Sequence, residues 1–342
     1  MSHFLKAALV GFGVIAGAGS ALADGELHIY NWGNYTSPDA IAKFEKQYNV
    51  KVTLDSYDSN DQMLAKIKAG GSGYDIVVPS GYVIGQMIED GLLAKTEPNQ
   101  MENFKNMRPE FVDVFWDKGR HYSVPWQWGT TGIAVNTDVY KGDINTWGLV
   151  FDTPPELKGK VNVVPEMIDV INAASFYLNI PLCSDKKEDL KKINDLLVKA
   201  KKDWRAMEYS TIENMTAKNF SATMDWNGAA MRERLALPSI KYAYPKEGMA
   251  SFMDNVVVLK NAPNMENAKL FMNFIMDPQN AALLSAFARY DNGIKGSHEF
   301  LPKDMAGAPE INPPADFKTY FPPACPQKVA ETYGKIWNNL LK

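Results

Sequence analysis

The residues of this sequence best suited to chemistry are aromatics and carboxylates, and they collect where short apolar runs end. The run at 27–31 leads into Trp32-Gly33-Asn34-Tyr35, the run at 75–79 into Ser80-Gly81-Tyr82, and the run at 160–165 into Glu166 and Asp169. A fourth ends in Asp225-Trp226-Asn227-Gly228, and a fifth, 250–259, carries Phe252 and Asp254. Cations are scarce in this set, and it offers no nucleophile beside a base. Such a set can hold an ammonium. Aromatic faces attract a cation by about 0.5–2 kcal/mol each, and a buried carboxylate supplies the hydrogen-bonded counter-charge that makes desolvating an amine tolerable. Gly33, Gly81 and Gly228 would let backbone come close to a ligand. Each residue also has a plain structural reading. Trp32 and Trp226 suit a core, Tyr35 and Tyr82 suit an amphipathic surface, and Asp254 could cap a turn or pair with Lys246. Arg205, in Asp203-Trp204-Arg205, reads as an ion-pair partner. The recurrence of one residue kind at five strand ends favours a site.

Strand ends matter because ligands of open α/β sheets gather beyond the carboxyl ends of the strands. The elements that would supply those ends follow from pattern. Residues 27–31 and 50–57 read as strands, and 75–80 is the continuous apolar run that a doubly covered parallel strand needs. Between them Ser37-Pro38-Asp39 opens a helix with a cap, a proline at the first position and an acid in the first turn. A second helix, 61–68, is stopped by Gly70-Gly71. The resulting β-α-β-α-β order predicts an α/β fold. Further on, the pattern predicts a strand at 160–165, a helix at 168–178 and a long, charged-faced helix at 186–204. Strands follow at 221–226 and 240–245, and 250–259 is long enough to cross between lobes. Helices are expected at 264–276, 278–289 and 327–341. The sequence shows no internal repeat and no Pro/Gly-rich linker, which fits two α/β lobes joined by several strands.

The amino terminus reads as an export signal over 1–23. One lysine precedes an apolar stretch, 7–18, too short to span a bilayer comfortably, and Ala21-Leu22-Ala23 supplies small residues for cleavage. Gly11-Phe12-Gly13-Val14-Ile15-Ala16 matches a dinucleotide fingerprint, but it lies inside the signal with no strand before it. The mature chain of about 319 residues is too long for one compact core. Removal of Lys6, the only charged residue of 1–23, takes the formal charge from −4 to −5. An acidic, exported chain argues against nucleic acid and against stable association with anionic membranes. Cys183 and Cys325, an even pair in an oxidising compartment, are expected to form a disulfide. No spacing of cysteine and histidine suggests a metal, and no cofactor is expected.

Tyr30-Asn31-Trp32, Phe44-Glu45, Gly73-Tyr74-Asp75-Ile76-Val77-Val78-Pro79-Ser80 and Pro125-Trp126-Gln127-Trp128-Gly129-Thr130-Thr131-Gly132-Ile133-Ala134-Val135-Asn136 resemble the bacterial periplasmic spermidine/putrescine-binding proteins. So do Tyr244-Pro245-Lys246-Glu247-Gly248, Phe252-Met253-Asp254 and Tyr290, and the likeness runs over essentially the whole mature chain. The resemblance implies a two-lobed, type II periplasmic-binding-protein clamshell with three kinds of crossing segment, feeding the permease subunits of an ABC importer. It implies that Trp32, Tyr35, Ser80, Tyr82, Trp226, Phe252, Asp254 and Tyr290 line a polyamine cleft. The expected lobes are 24–135 with about 255–300, and 136–254 with about 301–342, in a monomer.

The chain departs from the family pattern in three places. Gly33 stands where the family has Ser, Thr or Asp, and Ala229 stands where it usually has an acid, for which the neighbouring Asp225 could substitute. Where the family carries an Asp and a Glu three apart, Pro165 reads as occupying the first place and Asp169 the second. The lost acid favours a putrescine-like diamine over spermidine, with Asp254 holding one ammonium and Asp169 and Asp225 the candidates for the other. An ω-amino acid such as 4-aminobutyrate, with Arg205 on its acid end, is the alternative. A secreted hydrolase or lyase on a similar scaffold would need a nucleophile elbow, a zinc motif or paired acids beside a base, and the sequence contains none.

Overall fold

The computed structural model describes residues 25–342 except 315, 316, 318 and 320; the expected signal lies outside the described residues. Nine strands form one sheet, eight of them in a single path with the ninth branching from it. They are β1 (Gly25–Trp32), β2 (Val50–Tyr57), β3 (Ile76–Val77), β4 (Ser123–Asn136), β5 (Val161–Val163), β6 (Trp204–Met207), β7 (Ala222–Trp226), β8 (Ile240–Ala243) and β9 (Ser251–Val258). The order is β2-β1-β3-β9-β4-β7-β5-β6, with β8 also on β4. β1 runs parallel to β2 and β3, and β5 parallel to β6 and β7, whereas β9 is antiparallel to β3 and β4.

Two hydrophobic cores flank this path. The first gathers buried residues from Leu27 to Trp126 and from Met253 to Ile294. The second gathers those from Ile133 to Met249 and from Val329 to Leu340. β4 belongs to both, because its first half pairs with β9 through Thr130 and its second half pairs with β7 and β8 from Thr131 onward. Trp226 packs against both cores.

The helix Pro38–Tyr48 forms where its capping residues predict. Ser37 accepts from the Ala40 amide at 3.3 Å, and Asn49, in the left-handed region, ends the helix. Its buried face, Ala40, Ile41 and Phe44, meets the first core, where Phe44 packs edge-on to Phe271 at 5.0 Å.

Three expectations change. Only Ile76 and Val77 pair as strand in the 75–80 run, because the carbonyls beyond them face other partners. The Val78 carbonyl accepts from Trp32 Nε1 at 2.9 Å and Tyr57 Oη at 2.7 Å, and the Pro79 carbonyl accepts from the Asn255 amide. The long helix ends at Ala200, and Trp204–Met207 is a strand on the sheet edge. The crossing is shared by β9 with β4, a strand without polar/apolar alternation because nearly all of it is buried on both faces, polar residues included. The disulfide is borne out: Cys183 and Cys325 are bonded across 142 residues, tying the chain before the last helix to the second core.

Candidate functional site

The strand ends converge on one cleft between the two cores, with a volume of about 680 Å³ that is partly open to solvent. Its aromatic walls are set by ring packing. Trp32, fixed by its hydrogen bond to Val78, stacks at 12° on Tyr209 with centroids 6.3 Å apart and tilts against Trp226 at 6.4 Å. Tyr209 and Trp226 lie 5.5 Å apart. Tyr290 stands at 90° to Tyr35 at 5.4 Å and edge-on to Phe252 at 5.8 Å. The glycines serve these walls as much as they serve a ligand: a Cβ on Gly228 would come within 2.5 Å of the Tyr290 ring, and one on Gly33 within 3.3 Å of Tyr209.

Three carboxylates face the cleft. Asp254, 5 % exposed on β9, accepts from Ser80 Oγ at 2.7 Å and from Tyr35 Oη at 3.0 Å. Burial pushes it up to about 7 against the pull of these two donors, and the Asp169 charge adds to the rise. Asp169, in the first turn of the helix Met167–Tyr177, accepts from Trp226 Nε1 at 2.8 Å and is raised to about 6 by burial. Glu166, just before that helix, accepts from Tyr82 Oη at 2.5 Å and from the Asn60 amide at 3.1 Å. Burial, then the Asp169 charge, push it up to about 8. Asp169 thus acts on both other acids, and among the described residues no lysine, arginine or histidine lines the cleft. Lys246, the alternative partner for Asp254, pairs with Asp143 at 3.3 Å instead.

Trp32, Tyr35, Ser80, Tyr82, Asp169, Trp226, Phe252, Asp254 and Tyr290 all line this cleft. Asp225 does not. It is fully buried behind the wall, where its Oδ1 accepts from Thr211 and from the Trp226 amide. Burial raises both Asp225 and the equally buried Glu233, and the Asp225 charge raises Glu233 further. Arg205 is exposed on β6, away from the cleft. Ala229 lines a neighbouring pocket rather than the cleft.

Sequence reasoning missed several groups. Glu166 stood at a strand end but was passed over when Pro165 was assigned the family's first acidic place; Glu166 and Asp169 are themselves an acid pair three apart. Tyr209 follows β6, for which the pattern predicts no strand because the expected helix runs to 204, so no strand end points to Tyr209. Asn60 donates to Ser80 Oγ at 3.1 Å and to Tyr82 Oη at 3.0 Å, and only the fold brings it there. Trp116 and Phe321 close the cleft from irregular segments.

Among the described residues no helix is long and apolar enough to cross a membrane, and no group of three or more His, Cys, Asp or Glu could hold a metal. The chain is 31% identical to the putrescine-binding periplasmic protein SpuD of Pseudomonas aeruginosa, over 96% of this chain and 95% of that one. It is 30% identical to the spermidine/putrescine-binding periplasmic protein of Escherichia coli, over 92% and 90%. The solved spermidine/putrescine ABC transporter substrate-binding protein PotD of Streptococcus pneumoniae superimposes with a TM-score of 0.75 at 26% identity, covering 93% of this chain and 99% of that one. The resemblance read from the sequence and the type II clamshell it implied are both borne out. Residues 39–313 match the bacterial extracellular solute-binding proteins, and the chain belongs to that family.

Proposed function

We propose that the protein is the periplasmic substrate-binding component of an ABC importer for polyamines, taking a putrescine-like diamine in preference to spermidine. The observation that carries this reading is a cleft with two buried carboxylates, Glu166 and Asp254, a half-buried third, Asp169, aromatic walls and, among the described residues, no basic group. Burying a carboxylate without a counter-charge is costly, and gathering three in one cleft is more so. A diamine answers this, with one ammonium on Asp254 beside Tyr35 and Ser80 and the other between Asp169 and Glu166. The aliphatic stem lies between Trp32, Trp226 and Tyr209, whose faces add cation–π attraction. The lobe of 24–135 with about 255–300 closes on that of 136–254 with about 301–342, and the loaded form is what permease subunits receive. Export with cleavage near Ala23 places the mature monomer in the periplasm. It makes and breaks no covalent bond.

Calorimetry with putrescine, spermidine and 4-aminobutyrate on wild type and Asp254→Asn tests the reading. Removing one partner of a buried charge pair typically costs about 2–5 kcal/mol, so putrescine affinity should fall about 30-fold or more in the variant. Tight binding of 4-aminobutyrate with none of putrescine would overturn the diamine reading.

A further inference from the structure

A second pocket, partly open to solvent, lies against the cleft. The two share Tyr35, Tyr209, Trp226 and Tyr290, so one aromatic wall separates them. Their electrostatics differ. Among the described residues the cleft holds three carboxylates and no cation, whereas the side pocket holds Arg232, carried by the helix Asn227–Ala236 that starts directly after Trp226.

Arg232 is tied to neutral groups. Nη1 donates to the Asn34 carbonyl at 3.1 Å, Nη2 donates to Asn34 Oδ1 at 3.0 Å, and the guanidinium carbon lies 5.1 Å over the Phe287 ring. Among the described residues no carboxylate oxygen comes within 4.0 Å of it. Glu213, the acid of the pocket, is exposed and accepts from Asn34 Nδ2 at 3.4 Å, so water screens its charge. The Arg232 charge reaches the wall itself, where it acts on the hydroxyls of Tyr209 and Tyr290. Of five guanidinium N–H groups two are used, which leaves donors for a carbonyl, hydroxyl or carboxylate, while the guanidinium itself can accept nothing from an ammonium. Ala229, on the same helix, adds no counter-charge.

We propose that this side pocket is a second subsite that reads the far end of an amine ligand: through Arg232 it accepts a neutral or anionic tail and refuses an ammonium. The proposal rests on the amine reading of the cleft. A diamine fits within the three carboxylates and leaves the pocket to water. A longer triamine that extends past the wall brings its last ammonium toward a guanidinium with no carboxylate partner, and the like charges oppose each other there. An N-acylated triamine presents a carbonyl there and gains a hydrogen bond.

The test is calorimetry with putrescine, spermidine and N-acetylspermidine on wild type, Arg232→Gln and Arg232→Lys, with melting temperatures confirming that each variant folds. Because Arg232 also ties the lobes together through Asn34, affinity ratios are the readout, and any general loosening cancels. The spermidine-to-putrescine affinity ratio should rise about tenfold or more in Arg232→Gln, as expected when a like-charge juxtaposition is removed. It should stay near the wild-type value in Arg232→Lys, and the preference for N-acetylspermidine over spermidine should fall in Arg232→Gln. Equal changes for all three ligands, or equal ratios in the Gln and Lys variants, would overturn the subsite. If putrescine binds wild type and the ratios do not move, only the side-pocket assignment falls; if no amine binds wild type, the reading of the cleft falls with it.

Discussion

Glu166, Asp169 and Asp254 sit in the folded protein at about 8, 6 and 7, raised chiefly by burial. In the unfolded chain such carboxyls release their protons near pH 4 (roughly). Between those limits the folded, ligand-free chain binds more protons than the unfolded one, so by linkage its stability falls as pH rises through this window. Asp225 and Glu233 add to the fall for the same reason. An ammonium has the opposite preference, since it favours the ionised acids. Binding should therefore expel protons, and diamine affinity should climb as pH passes through the folded values of about 6 to about 8. Calorimetry in two buffers of different ionisation enthalpy reads the protons released, and Glu166→Gln should reduce their number. No release near neutrality with affinity flat across the window would contradict the assignment of these three acids to the ligand. Asp225 and Glu233 do not face the cleft, so their share of the pH-dependent stability should persist when ligand is bound.

At the scale of elements, much of the arrangement could be read from local pattern, and the losses have physical causes. The helix Pro38–Tyr48 and its cap were legible because capping chemistry is local. β6 was lost because the amphipathic pattern of the preceding helix continues into Trp204, whose indole donates to the Val150 carbonyl at 2.8 Å from the strand. With β6 went Tyr209, one aromatic wall of the cleft. Trp116 and Phe321 had no pattern to betray them, since loops carry no period. The disulfide bears on this last group. Phe321 and Pro322 line the cleft a few residues before Cys325, so the bridge to Cys183 anchors part of the cleft wall as well as the last helix, Gln327–Leu341. Replacing both cysteines by serine should lower stability by about 2–4 kcal/mol. Diamine affinity should fall as well, because the wall loses its tether. Denaturant unfolding followed by calorimetry on the double variant checks both, and an unaffected affinity would mean that Phe321 is held without the bridge. Thiol titration of the denatured, unreduced protein should find no free thiol.

For the whole molecule, the cleft is where two cores meet, and ties across it determine how tightly the lobes hold together. The Tyr209 hydroxyl donates to the Gly33 carbonyl at 3.1 Å, and Glu166 receives both Tyr82 and the Asn60 amide from the opposite lobe. β4 runs from one core into the other, and the chain passes between the cores a second time from Met249 into β9, so the two halves share two backbone crossings. Trp226 sits at the centre of this arrangement, half-buried at the start of a helix, touching both cores and donating to Asp169. If it were principally a core residue, its loss would act on stability, since truncating a buried aromatic costs about 3–5 kcal/mol. As a wall of the ligand box it should act on binding instead. Trp226→Ala removes one cation–π face worth about 0.5–2 kcal/mol. It also frees Asp169 from its indole donor, which leaves a less ordered carboxylate for the ammonium. Putrescine affinity should therefore drop about tenfold or more, the sum expected from these two losses, while the melting temperature of the ligand-free protein moves little. The ligand-induced gain in stability, about 2.7 kcal/mol for wild type at a hundred times the dissociation constant, should shrink at the same ligand concentration. A large loss of ligand-free stability with affinity intact would return Trp226 to the core and leave Trp32 and Tyr209 as the aromatic faces of the cleft.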